Sequence, residues 1–297
     1  MTPTTPATLF APIRLALPNE KLRHQLFCDG LAAWSWRRRT GKFKPMNNRW
    51  IARIGLALAV ALISPAPASA QVKVLMSAGF KAAYDDILPG FEKKTGVVVT
   101  TSLGASQGDG PDTIAAKLRR GEQADVVILS KAGLTDLIKN GKIAAGTEVD
   151  LAQSPLGVAV RTGSRKPDIS TVAAFRQTLQ RAKSVTFQSV TVIYLRDKLL
   201  PQLGITDNVM AKHTEIGPSA VASGAAQVAI APVSEILHVP GVEYVGTIPT
   251  RIQLVQTFSA AVVSGSKELA ASKQLIAFLA SDSARAAMRK SGMNPSH

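Results

Sequence analysis

The 297-residue chain carries 35 Lys and Arg against 20 Asp and Glu, a formal net charge of +15, and one cysteine. Ten of the basic and two of the acidic residues lie in residues 1–70; the +7 left on 71–297 is scattered, without a basic stripe, which argues against a nucleic-acid partner. The single cysteine, Cys28, lies upstream of residue 71, so the remainder has no disulfide framework, thiolate metal site or cysteine nucleophile.

Residues 1–45 hold Arg37-Arg38-Arg39 and no sustained periodicity, and read as an upstream extension, disordered or not translated. Residues 46–70 read as a secretory signal peptide. Arg49 and Arg53 precede the apolar run Ile54 to Ile63, and Pro65, Pro67 and Ala68-Ser69-Ala70 follow it. That run is shorter than the roughly 20 apolar residues a membrane span needs. Cleavage is expected near Ala70, with the mature chain in the periplasm.

Beyond Ala70, Val72 to Met76 predicts a strand and Phe80 to Lys94 a helix, with Phe80, Ala83, Tyr84, Ile87, Leu88 and Phe91 at helical spacing. Gly96 ends it. Val97 to Thr101 predicts the next strand, followed by a Gly- and Ser-rich loop from Ser102 to Gly110. Pro111 starts a helix to Arg120, with Asp109 and Asp112 as candidate caps. Ala124 to Leu129 is a strand and Leu134 to Asn140 a helix. This order predicts a mostly parallel sheet with helices on both faces.

The pattern restarts at Gly157. Strands are predicted at Val158 to Arg161, Val185 to Phe187, Val228 to Ala231 and Val242 to Val245. Helices are predicted at Thr171 to Arg181, Tyr194 to Leu203 and Val233 to Leu237. The closing stretch, Lys267 to Lys290, reads as two helices that pack back onto the first unit. The fold class is therefore α/β with two lobes. Lobe 1 takes 71–154 plus 252–297 and lobe 2 takes 155–251, with hinges near Gln153-Ser154-Pro155 and Thr250 to Gln253.

Two loops leave the carboxyl ends of strands and enter helix starts with small hydroxyl residues and glycine: Met76-Ser77-Ala78-Gly79 and Leu103-Gly104-Ala105-Ser106. Ligands of open α/β sheets sit at that edge. Unpaired first-turn N–H groups favour an anion there. The same residues also make ordinary caps and turns. Catalytic arrangements are poor. His213, His238 and His297 fall in no metal-ligand spacing, there is no G-x-S-x-G elbow, and adjacent Asp85-Asp86 cannot share a helix face.

VKVLMSAGFKAAYDDILPGFEKKTG at 72–96, LRRGEQADVVIL at 118–129, SPLGVAVRTGSRKPDIST at 154–171 and the stretch 239–281 carry a resemblance. The chain resembles the molybdate-type extracellular solute-binding proteins of ABC transporters, with the type II periplasmic-binding fold. The resemblance implies a tetrahedral oxyanion held between two lobes by hydroxyls and backbone N–H groups. It places Ser77 and Ala78 at the first loop and Ser106, with Ser102 as the alternative, at the second. In lobe 2 it points to Ser189 and Thr191. The family's loop there ordinarily contains glycine; Phe187 to Ile193 has none. The family's tyrosine from a later strand is also missing, with Ala231-Pro232 in its place.

The expected function is capture of a small molybdate-like anion by a monomer that delivers it to an ABC permease in the inner membrane. Neither metal, cofactor nor catalysis is expected. One alternative is a binder of a small organic acid or other metabolite, which Gln188 favours. Another is a secreted α/β hydrolase or isomerase.

Overall fold

A computed structural model describes residues 70–296. The extension and signal-peptide readings lie outside the described residues.

The chain runs β1 (Gln71–Met76), a 3-10 turn (Ala78–Phe80), α1 (Lys81–Thr95), β2 (Val98–Leu103), α2 (Ile114–Arg119), β3 (Val126–Ser130), α3 (Lys131–Lys139) and β4 (Val149–Arg161). Then come α4 (Val172–Arg181), β5 (Val185–Thr186), α5 (Val190–Tyr194), a π-helical turn (Leu195–Leu199), α6 (Leu200–Leu203), α7 (Thr206–Met210), β6 (His213–Thr214) and α8 (Ser219–Ser223). The chain closes with β7 (Val228–Pro232), α9 (Val233–Ile236), β8 (Val242–Thr247), a 3-10 turn (Thr250–Ile252), β9 (Val255–Val262), α10 (Leu269–Leu279), α11 (Asp282–Lys290) and β10 (Asn294–Pro295).

β1 pairs in parallel with β2 on one side and β3 on the other. All five residues of β3 are buried, as expected of a strand covered on both faces. β2 is an edge strand and mostly exposed. In the second lobe, β5 pairs in parallel with β6 and β7.

Two long strands depart from the sequence expectation. β4 covers 13 residues where the pattern predicts a strand only over 158–161. β9 arises where none is predicted. β9 lies antiparallel between β3 and β4. β4 then continues past Pro155 to pair with β7 and β8, also antiparallel. One strand thus serves two sheets, and Pro155, with no N–H to donate, sits where the pairing changes hands. The side chain of Gln253 clamps this point. Its Oε1 accepts from Leu156 N (2.8 Å), and its Nε2 donates to the carbonyls of Leu156 (3.0 Å) and Ile248 (3.2 Å).

Two large apolar clusters follow from the two sheets. Phe80, Tyr84, Phe91, Phe258, Leu275 and Met288 belong to the first. Leu156, Phe175, Phe187, Leu195, Ile230 and Ile252 belong to the second. The closing helices lie against α1. Phe278 meets Phe91 with ring centroids 5.6 Å apart, and Lys290 pairs with Asp86 at 2.7 Å.

The start of α2 is a correction. The helix begins at Ile114, not Pro111, and its cap is Thr113, whose Oγ1 accepts from Ala116 N at 3.2 Å. The cause is a loop that closes on itself: Ala105 N donates to the Asp112 carbonyl and Ile114 N to the Ala105 carbonyl, both at 3.0 Å. That closure holds residues 107–112 outside the helix, so Asp109 and Asp112 do not cap it.

Candidate functional site

Residues of both sheets line one cleft of about 530 Å³. The first wall is Ser77, Ala78 and the loop from Leu103 to Thr113; the second is Gln188 to Thr191 with Glu215. Glu235 and Gln256 complete it. Among the described residues that line it, none is Lys or Arg.

The first wall is built by strand ends. Ser77 N donates to the Ile128 carbonyl (2.8 Å) and Gly104 N to the Met76 carbonyl (2.9 Å). The two loops predicted from sequence therefore lie side by side at the carboxyl edge of β1 and β2. Ser77 stands at the N-cap position of its turn, yet its side chain makes no capping bond. It is 4 % exposed, and its Oγ has no partner. A buried hydroxyl without a partner is costly, by about 1–3 kcal/mol, unless something in the cleft receives it. Ser106 Oγ accepts from Ser130 N (3.0 Å), which leaves its own proton to donate. A Cβ at Gly133 would stand 2.3 Å from the Ser106 carbonyl oxygen, so only glycine lets that loop settle so close.

The second wall carries strain. Ser189 adopts φ 54°, ψ −131°, and is the one non-glycine residue with positive φ among those described. Such a conformation costs about 1–3 kcal/mol and concentrates at functional sites. In a loop without glycine, Ser189 thus holds a backbone shape that favours glycine. Its Oγ is buried without a partner, and Thr191 beside it is 2 % exposed. Ser189→Gly is expected to raise stability by about 1 kcal/mol in thermal melts, through release of that strain. Unchanged or lower stability would show the backbone to be relaxed.

Ser77, Ala78, Ser106, Ser189 and Thr191 therefore share the cleft. Ser102 does not. β2 extends to Leu103, so Ser102 is still in strand register opposite Leu75 and exposed to solvent.

Sequence reasoning missed Glu235 and Gln256. Glu235 sits on α9 directly after β7. Ser234 N donates to the buried Ser154 Oγ (3.2 Å), which ties α9 to the strand crossing. Its carboxyl lies under the Ser77 turn: a Cβ at Gly79 would meet Glu235 Oε1 at 2.9 Å and the Phe258 ring at 2.3 Å. Part of the residue borders the cleft, but protein crowds the carboxyl closely. Desolvation pushes it up to about 7, and a hydrogen bond with Gln188 pulls it back only in part. No described residue forms an ion pair with it within the usual distance. Gln188 in turn packs on Gly217, where a Cβ would come within 2.8 Å of its amide.

The histidines stand apart from this chemistry. His213 stacks on Phe187 (centroids 3.8 Å) with Nε2 2.8 Å from the Phe187 carbonyl oxygen, and neither His213 nor His238 lines the cleft. Among the described residues, no group of three or more His, Cys, Asp or Glu is placed to hold a metal ion.

Comparison with known proteins agrees with this architecture. A family model described as bacterial extracellular solute-binding protein matches residues 72–294. Aconitate isomerase of a Pseudomonas species is 37 % identical over 250 residues, which cover 81 % of this chain and 95 % of that protein. Among solved structures, the periplasmic molybdate-binding protein of Azotobacter vinelandii superposes with a TM-score of 0.60 at 20 % identity, over 75 % of this chain and 98 % of its own. The sulfate-binding protein SubI of Mycobacterium tuberculosis gives 0.63 at 20 % identity, over 76 % and 87 %. These structural likenesses establish the two-lobed periplasmic-binding fold. The chain belongs to the bacterial extracellular solute-binding protein family.

Proposed function

We propose that this protein binds a small unsaturated polycarboxylic acid of the aconitate class between its lobes and interconverts its isomers by proton transfer. The observation that carries the reading is Glu235, a carboxyl without a cationic partner that shares one cleft with the hydroxyls of Ser77, Ser106, Ser189 and Thr191. Its ionised form would repel a mineral dianion and a polycarboxylate alike, so what such a group adds to the site is proton transfer. A site that moves protons at neutral pH needs one. Kinship at 37 % identity with an aconitate isomerase supports the same choice.

A second reading is favoured by the family and the fold: capture of the acid in the periplasm, after removal of the signal peptide near Ala70, and delivery by a monomer to an ABC permease. Both readings use the same lobes, 71–154 with 252–297 and 155–251, closing about the strand crossing at Pro155 and Gln253. Among the described residues, no helix is long and apolar enough to cross a membrane.

Thermal scans with cis-aconitate, trans-aconitate, citrate, molybdate, tungstate, sulfate and phosphate separate these readings from mineral-oxyanion binding. A ligand at 100 times its dissociation constant adds about 2.7 kcal/mol. The expected result is stabilisation by the aconitates and none by molybdate or sulfate. Stabilisation by mineral oxyanions alone would return the cleft to the molybdate class. Proton NMR of each aconitate incubated with the protein then tells turnover from capture.

A further inference from the structure

We propose that the Glu235 carboxylate is the proton carrier of the cleft, taking a proton from a substrate methylene beside the double bond and returning it to the far carbon of that double bond, with Gln188 as the positioning residue. This rests on the isomerase reading above. It assigns the chemistry to one residue that no sequence motif marks.

The geometry leads to Glu235 by elimination and by placement. The titratable side chains lining the cleft are Asp109, Asp112, Glu215 and Glu235. Asp109 and Asp112 belong to the exposed loop before α2, and Glu215 is exposed on the opposite wall. Glu235 alone lies deep, pressed beneath the Gly79 turn with its amide partner Gln188 from the second lobe. It therefore touches both walls, the Gly79 turn of one and Gln188 of the other, in a cleft that also holds the unpartnered Ser77 and Ser189 hydroxyls.

The step balances without an added reagent. The C–H bond of the methylene breaks and its proton passes to a Glu235 oxygen. The electron pair enters the allylic system and its adjoining carboxylate, and the double bond moves one carbon along. The same oxygen then gives the proton to the carbon at the other end, forming the new C–H bond and restoring the carboxylate. The serine and threonine hydroxyls hold the substrate carboxylates, where negative charge builds up. A base with a midpoint near neutrality suits both halves, since it must first accept and then release the proton. Elements packed on α9 bring Asp150, Arg161, Glu243 and Tyr244, and the cleft brings Asp109, Asp112 and Glu215. None of these shifts Glu235, whose displacement comes from desolvation with Gln188 opposing.

The test uses the purified protein with cis- and trans-aconitate in D2O, followed by proton NMR. The wild type is expected to interconvert the isomers, with kcat/KM rising with pH up to about 7 and level above it. Glu235→Gln is expected to lower kcat at least about 1,000-fold with KM within about threefold of wild type. Gln188→Leu removes the bond that favours the ionised form, so its pH profile is expected to shift upward, a change that a purely structural role would not produce. His238→Gln, outside the cleft, serves as the control. If Glu235→Gln loses its cooperative melt, Glu235→Asp takes its place, with an expected 10- to 100-fold loss in kcat. Turnover by Glu235→Gln within tenfold of wild type, or an unaltered kcat in Glu235→Asp, overturns the assignment alone. No turnover of either isomer by the wild type overturns the isomerase reading beneath it.

Discussion

Glu235→Gln is expected to stabilise the protein by up to about 3 kcal/mol above pH 7 and to leave its stability nearly unchanged at pH 4.5. The carboxyl is raised from its ordinary 4.5 to about 7 in the fold. Between those values the folded chain keeps a proton that the unfolded chain has released. The wild type therefore loses stability as pH rises through this window, and the loss is complete once pH passes the folded value. Glutamine carries no charge and escapes it. Groups common to both proteins cancel in the difference, so the informative quantity is the gap between the two melting curves at pH 5, 6, 7 and 8. For a chain of this size the full gap corresponds to roughly 6–12 °C. Curves that run parallel across the window would show that Glu235 is well solvated, and the cleft chemistry built on it would fall. A group that weakens the fold at neutral pH, where a glutamine would not, is what a stability–function trade-off leaves behind.

Much of the cleft was legible because it is local. Ser77 follows β1 directly and Ser106 follows β2 after the small residues Gly104-Ala105, a pattern set by chain turns a few residues long. Ser189 and Thr191 come from the resemblance, and both line the cleft although their loop has no glycine. Ser102 lies just outside the cleft lining: the strand runs on through Val98–Leu103 and keeps it on the sheet edge. Glu235 was hidden for a different reason. In Pro232-Val233-Ser234-Glu235-Ile236 an acid at a helix start looks like a solvated partner of the helix dipole. What buries it is the Gly79 turn, far away in sequence. The one available signal was its position directly after an all-buried strand and between Val233 and Ile236. β4 and β9 were hidden likewise. Asp150, Gln153, Ser154 and Pro155 interrupt the apolar run, and their tolerance depends on partners elsewhere: Asp150 pairs with Lys131, and Ser154 Oγ accepts from Ser234 N. Periodicity reads faces; it does not read crossings between lobes.

The crossing also fixes the second large effect. Phe258, on β9, is fully buried against Phe80 (centroids 6.2 Å apart) and supports the turn that presents Ser77. Phe258→Ala is expected to cost about 3–5 kcal/mol, the sum of lost transfer energy and a partly relaxed cavity. Gly79→Ala meets the same ring from the other side, because its Cβ would stand 2.3 Å from Phe258 Cζ; overpacking of this kind costs about 1–3 kcal/mol. The two changes are therefore coupled. Once the ring is gone, the new methyl has room on that side, and the Glu235 carboxyl oxygen at 2.9 Å still crowds it. Gly79→Ala in the Phe258→Ala background is expected to cost about 1–2 kcal/mol less than in the wild type, within the range seen for residues in contact. Urea denaturation of the four proteins measures that difference directly. Additive losses would mean that the turn yields without touching the ring, and Phe258 would then have no part in holding the Ser77 hydroxyl at the cleft.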